Sequence, residues 1–200
     1  MRQIKNTLLI TLIAFFFSCE ENYLDPAPTS VLSSANYFTT PAQVETAVFN
    51  IYDGIQGVNS TSTNDNHAIQ FEFYLTEMRS DNTRTKSSEG ESAQFENYTI
   101  ESTNGIVANY YQSFYNVIYR TNIVLENLEA AGSKAVIFEA EAKFLRAYAY
   151  YNLVNLYGDI PLITSVITPQ DYETSYTRKP VSEIHQLIVS DLTTAIEGLD

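Results

Sequence analysis

The chain has one cysteine, two histidines and no tryptophan among its 200 residues. A single thiol excludes a disulfide within the chain and excludes a thiolate metal cluster. His67 and His185 lie far apart, and neither an HExxH pattern nor a Cys–His spacing occurs, so no metal site is expected. His185 borders an apolar stripe and is expected to pack within its helix. The seven glycines are scattered, which removes a glycine-rich phosphate loop, and nothing else signals a cofactor. Positive charge is also scarce. Eleven Lys and Arg against 24 Asp and Glu leave a formal net charge of −13. Such a surface repels phosphate backbones, so nucleic acid is not an expected partner. It repels anionic headgroups too, so contact with a membrane calls for a covalent anchor.

Catalytic groupings are equally thin. Glu139 and Glu141 are two apart, which on a helix turns their side chains about 200° from each other, so they cannot share a substrate. A solvated face or structural ion pairing near Arg146 is the expected role. Glu89 and Glu91 flank Gly90 in a polar loop, but Ca²⁺ takes about six or more oxygens. Ser80-Asp81-Asn82 has no SxxK nucleophile before it. No catalytic residue and no metal ligand is expected, and the chain reads as a binding module rather than an enzyme.

The one marked apolar run lies at the start. Leu8 to Phe17 is broken only by Thr11 and follows Arg2 and Lys5. These are the n-region and h-region of a signal peptide, and the run is too short for a bilayer, which needs about 20 apolar residues. Ser18-Cys19 follows at once, the pattern of bacterial lipoprotein processing. Residues 1–18 are therefore read as a signal peptide, Cys19 as the lipidated residue and 19–34 as a tether. Loss of Arg2 and Lys5 would take the net charge from −13 to −15. Each buried acyl methylene contributes about 0.8 kcal/mol, and two chains anchor stably where one is marginal. Glu20 and Glu21 resemble a surface-export signal, and Pro26 and Pro28 favour an extended tether.

Over the whole chain 44% of residues are hydrophobic against 18% charged, enough for a packed core. There are 15 Tyr and 11 Phe; Tyr combines a large ring with a polar tip, which suits partly polar ligands. Thr39-Thr40-Pro41 reads as a hydroxyl-capped helix start, followed by Val44, Val48, Ile51 and Ile55 at helical spacing and Gly57 as a stop. Residues 58–66 and 79–94 read as polar loops, and 69–78 fits either a short helix or a buried strand. Val107, Tyr110, Phe114, Val117, Thr121, Val124 and Leu128 trace one helical stripe, ended by Gly132. Ser133 is the expected cap of the next helix, which carries two stripes. One holds Ile137, Ala140, Phe144, Ala147, Tyr151 and Val154; the other holds Leu145, Ala149, Leu153 and Leu156. A helix apolar on two sides is covered on two sides, so this is an inner helix. It is paired with its predecessor as an antiparallel αα-hairpin. Tyr148, Tyr150 and Tyr151 on it are read as packing residues before a binding platform. Gly158 and Pro161 end it, 160–167 look extended, and Asp159 is expected to organise the helix exit. Ser182 is the expected cap of a last helix with Ile184, Ile188, Leu192, Ala195 and Leu199 inward. The fold class is all-α: tetratricopeptide-like stacked αα-hairpins with irregular loops, over residues 35–200.

Glu141-Ala-Lys-Phe-Leu-Arg146-Ala-Tyr-Ala-Tyr-Tyr151, running on to Leu156-Tyr-Gly158-Asp159-Ile-Pro161-Leu162, resembles the central signature of the SusD/RagB family. Tyr115, Ile118 and Asn122 resemble its preceding helix, and Pro180-Val181 to Asp191-Leu192 resembles the following one. The resemblance spans Cys19 to Asp200. It implies a lipid-anchored, surface-exposed protein of the outer membrane that binds glycan or another nutrient and partners a SusC-like TonB-dependent transporter. Family members run longer, so the chain reads as the N-terminal part of such a protein. The alternative is a helical scaffold that docks on the transporter with no ligand site of its own in this part. Without Trp, Tyr or Phe must do any stacking on sugar, and the ligand-binding residues are not legible.

Overall fold

In the computed structural model the described residues are 37–56, 68–86, 89–167 and 176–199. Cys19, the signal and tether segments, Gly57, the 58–66 loop and His67 lie outside them.

Helix α1 spans Pro41–Gln56. Proline at its first position loses no helical hydrogen bond. The cap differs from the expected threonine hydroxyl. Gln43 Oε1 instead accepts from the backbone N–H of Thr39 and Thr40, each at 2.9 Å, which is half of a capping box. Val44, Val48 and Ile51 face inward as their spacing requires. The ambiguous stretch that follows is helical: α2 spans Ala68–Leu75 and a 3₁₀ turn covers Glu77–Arg79. A single turn, α3, covers Ala93–Glu96.

Helix α4 spans Gly105–Glu126, with Tyr110, Phe114, Val117, Thr121 and Val124 buried along the predicted stripe. Its cap is Asn104, whose side-chain oxygen accepts from Ile106 N at 3.0 Å and Val107 N at 3.2 Å. Glu91 Oε1 takes the neighbouring Gly105 N–H at 2.7 Å, so this acidic residue serves a helix start, where negative charge is favoured. The helix stops at Glu126, before Gly132, and a 3₁₀ turn carries the chain over Leu128–Lys134 with Gly132 at φ +55°. Helix α5 spans Ala135–Tyr157 after Lys134, with no side-chain cap, so Ser133 lies inside the turn and caps nothing. Gly158, at φ +69°, ends α5. Strand β1 (Ile160–Pro161) pairs antiparallel with β2 (Arg178–Lys179). Helix α6 spans Val181–Leu199. Its start is held by Asp159 Oδ1, which accepts from Val181 N at 3.0 Å, and by the carbonyl of Pro180; Ser182 sits in the first turn and is not the cap.

Side-chain contacts give the helix directions. Between α5 and α6, Arg146 meets Asp191, Lys143 meets Thr194 and Ala140 faces Gly198, so one number falls as the other rises. The same holds between α4 and α5, where Asn122 meets Arg146, Phe114 meets Tyr148 and Val107 meets Tyr157. Both pairs are antiparallel. Between α1 and α5, Lys134 pairs with Glu45 and Tyr52 bonds Glu141, a step of seven on each helix, so these two run parallel. Two antiparallel hairpins, α1/α4 and α5/α6, are thereby stacked with their first helices side by side, the tetratricopeptide arrangement. The all-α expectation holds, with one two-residue strand pair added. Long connections separate the helices of each hairpin, which is why no fixed 34-residue period is legible.

Helix α5 is the inner helix, buried at Ala140, Leu145, Ala147, Ala149, Leu153 and Val154. Three residues expected inside are not. Ile137, Phe144 and Tyr151, seven apart, are exposed. They occupy the α5 strip between its contacts with α1 and with α6, which neither neighbour covers. On α6, Asp191 is buried, Leu192 is only half-buried, and Leu199 and His185 are exposed, so His185 is a surface residue. Arg146 draws Asp191 inward and thereby rotates the buried face. Gly198 lies so close to α5 that a methyl group there would be 2.7 Å from Ala140 Cβ.

Candidate functional site

The residues that follow β1 are fixed from the inside by polar groups on α4 and α5. Arg146 reaches Asp191 through two hydrogen bonds of 2.8 Å, with 7% and 3% of the two side chains exposed. Its third nitrogen bonds Asn122 Oδ1 at 3.0 Å. Asn122 Nδ2 then donates to the carbonyls of Ile163 at 3.2 Å and Ser165 at 3.1 Å. Tyr150 OH donates to Ile163 O at 2.9 Å and accepts from Ile163 N at 2.6 Å. Tyr115 OH donates to Pro161 O at 2.7 Å, and Glu126 Oε1 accepts from Val166 N at 2.6 Å. A segment without regular structure thus has its backbone groups satisfied by side chains. Burial raises the phenol pKa of both Tyr115 and Tyr150 above the ordinary tyrosine range, which keeps them as neutral donors.

The outer face of that segment and one face of α4 enclose a groove of about 560 Å³. Tyr111, Tyr115 and Tyr119 form the helical wall. Four-residue spacing places them about 6 Å apart along the axis, on one face. Tyr111 and Tyr115 have ring centroids 4.7 Å apart, and Tyr157 meets Tyr111 edge-on at 5.0 Å, so the inner rings are held. The exposed amides of Gln112 and Asn116 lie along the same wall. Ile118, Pro161 and Ile163 are apolar, and Ser165, Ile167 and Tyr176 complete the lining. Tyr119 and Tyr176 keep 49% and 53% of their surface exposed. Among the described lining residues none is charged. The groove offers flat apolar rings together with neutral donors and acceptors, and it holds no acid or base aimed at a common point.

Other residues singled out in the sequence take structural roles. Glu139 pairs with Lys143 at 2.8 Å and Glu141 accepts from Tyr52 OH at 3.2 Å, while Arg146 is committed to Asp191 and pairs with neither. Tyr150 is buried, Tyr148 half-buried and Tyr151 exposed, so the packing role holds for the first two only. Asp159 organises the start of α6 rather than the exit of α5. Among the described residues no three His, Cys, Asp or Glu side chains are grouped to hold a metal ion, and no helix is long and apolar enough to cross a membrane. The tyrosines of the groove were not singled out as a site. Their sequence signal was the four-residue spacing of 111, 115 and 119.

Residues 22–200 match the SusD-like family described as starch-binding and associating with the outer membrane. The chain belongs to this family. A SusD-like protein of Formosa agariphila is 25% identical over 202 residues, covering 100% of this chain and 38% of its own length. One from Bacteroides ovatus is 23% identical over 214 residues, covering 98% and 35%. Among solved structures, a laminarin-binding SusD-like protein superposes with a TM-score of 0.65 at 26% identity, over 80% of this chain and 34% of that one. A SusD-like protein from Bacteroides fragilis gives 0.67 at 21% identity, over 86% and 32%, a likeness of fold. The chain spans less than two fifths of the length of these relatives. In this SusD-like chain the signature residues have visible tasks. Arg146 holds Asp191 and Asn122, Gly158 turns the chain out of α5, and Asp159 starts α6.

Proposed function

We propose that this SusD-like chain is the helical part of a lipid-anchored protein on the outer face of the outer membrane. There it binds glycan or another nutrient and delivers it to a SusC-like TonB-dependent transporter. The observation that carries the reading is the tyrosine-walled groove, whose described lining is uncharged, in a chain of the starch-binding family. Recognition without turnover fits a groove whose polar groups are phenols, amides and a hydroxyl.

In this reading residues 1–18 are removed, Cys19 takes the acyl chains and residues 19–34 tether the helical body. Two chains supply the membrane affinity that a strongly acidic surface lacks. Labelled palmitate is expected to enter the wild-type chain and not Cys19→Ala, and the variant is expected to leave the membrane fraction. Equal fractionation of the two would rule out the anchor. The binding role is tested by titrating the purified chain with a glycan panel in a calorimeter; heat from at least one member is expected, with no change in glycan length afterwards.

A second reading, a scaffold that docks on the transporter, draws on the exposed strip of Ile137, Phe144 and Tyr151 beside exposed Phe49 and Tyr52. Apolar strips of this kind mark protein contacts. Capture of a SusC-like barrel by a chain that binds no glycan, lost on Phe144→Ser, would favour it.

A further inference from the structure

We infer that the groove along α4 is itself a saccharide subsite on this chain, selective for an uncharged oligosaccharide and closed by Tyr119 and Tyr176. The inference rests on the glycan-binding reading above and gives it a place and a chemical class.

The argument begins with what is rigid. Tyr111 is packed against Tyr115 and Tyr157, and Tyr115 is also hydrogen-bonded to Pro161 O. They form the fixed depth of the groove. Tyr119 and Tyr176 are the two half-exposed rings of the lining, one on α4 and one just before β2. A pyranose ring has apolar faces made of C–H groups and a hydroxylated edge, so it needs aromatic planes for its faces and neutral hydrogen-bonding groups for its rim. Gln112 and Asn116, one turn apart on α4, supply amides that both donate and accept, as hydroxyls require.

Charge then narrows the class. The described lining contains no Lys, Arg or His. Arg120, next to Tyr119, is turned away to Asn50 and Asp53. Arg178, two residues past Tyr176, is on β2 opposite Pro161 and forms no part of the lining. A uronate or sulfate group would meet no counter-charge among the described lining residues, in a chain of net charge −13. Burying an unpaired charge is costly, so an anionic glycan is rejected.

The test uses the full chain purified in detergent, with native affinity gels cast with laminarin as the neutral probe and polygalacturonate as the anionic one. Laminarin is expected to retard the wild type and polygalacturonate is not. Tyr119→Ala and Tyr176→Ala are each expected to weaken laminarin binding by about tenfold, with helical content by circular dichroism unchanged. Asn116→Ala provides a second, milder loss in the same direction. Laminarin binding that survives both tyrosine variants would overturn the groove while leaving the glycan-binding reading intact. Polygalacturonate retardation that is lost in the same variants would keep the groove and overturn the neutral class. A wild type retarded by neither probe would overturn the subsite and count against glycan binding by this part of the protein.

Discussion

The segment from Pro161 to Val166 has two sides, and they are built differently. On the inner side Asn122, Tyr150 and Tyr115 satisfy its backbone groups, and Arg146 and Asp191 lock Asn122 in place. On the outer side the same segment meets half-exposed rings and free-standing amides across an open groove. The inner side is dense, polar and closed; the outer side is accessible, rich in aromatic rings and uncharged among its described residues. A site held within a fraction of an ångström needs such backing, because loose support loses binding geometry before it loses the fold. The contrast places stability on one side and the proposed recognition on the other.

That division can be attacked from its strongest point downward. Arg146→Ala leaves Asp191 buried without its partner and should cost about 3–5 kcal/mol of stability, measured by urea unfolding. Replacing both, Arg146→Met with Asp191→Leu, should lose less than Arg146→Ala alone, because no charge is left stranded. Asn122→Ala removes the bonds to Ile163 and Ser165 and should cost about 1–3 kcal/mol. It should also weaken glycan binding, because it frees the groove's floor, and that shared effect is the sharpest check on whether the inner side supports the outer one. Asn104→Ala should cost about 1 kcal/mol by uncapping α4, with no change in affinity, because Asn104 is not part of the groove lining. Tyr119→Ala should change stability by no more than about 0.5 kcal/mol, as an exposed residue does, while affinity falls. If Tyr119→Ala destabilises as much as Asn122→Ala, the two sides are not separate in function.

The all-α architecture was legible because burial imposes the helical period. Val44, Val48 and Ile51, and Tyr110 through Val124, point where their spacing says. The errors share a cause. Periodicity locates apolar stripes but does not say which are covered, so Ile137, Phe144 and Tyr151 were taken as core although no described neighbour reaches that strip. Asp191 displaced Leu192 because Arg146, 45 residues away, needed a buried partner. The caps differ from Thr40, Ser133 and Ser182 because the local Gln43 side chain takes the donors before α1, Ser133 lies inside a 3₁₀ turn, and Asp159, 22 residues upstream, holds the start of α6. The groove was hidden for a different reason. Its far wall comes from residues 41 to 46 positions downstream of the α4 side chains that hold it, Asn122 and Tyr115. A single helix shows the tyrosine ladder but not what faces it.

Gly198 bears on how this protein can be engineered. Exchanging a helical glycine for alanine usually stabilises, since alanine is the better helix former by about 1 kcal/mol. At 198 the added carbon would act as a wedge against Ala140 and the Val136 carbonyl, 3.1 Å away, and would lever the last helix off the inner one. The bare backbone there works as a hinge leaf lying flat, and thermostabilising designs should leave it untouched.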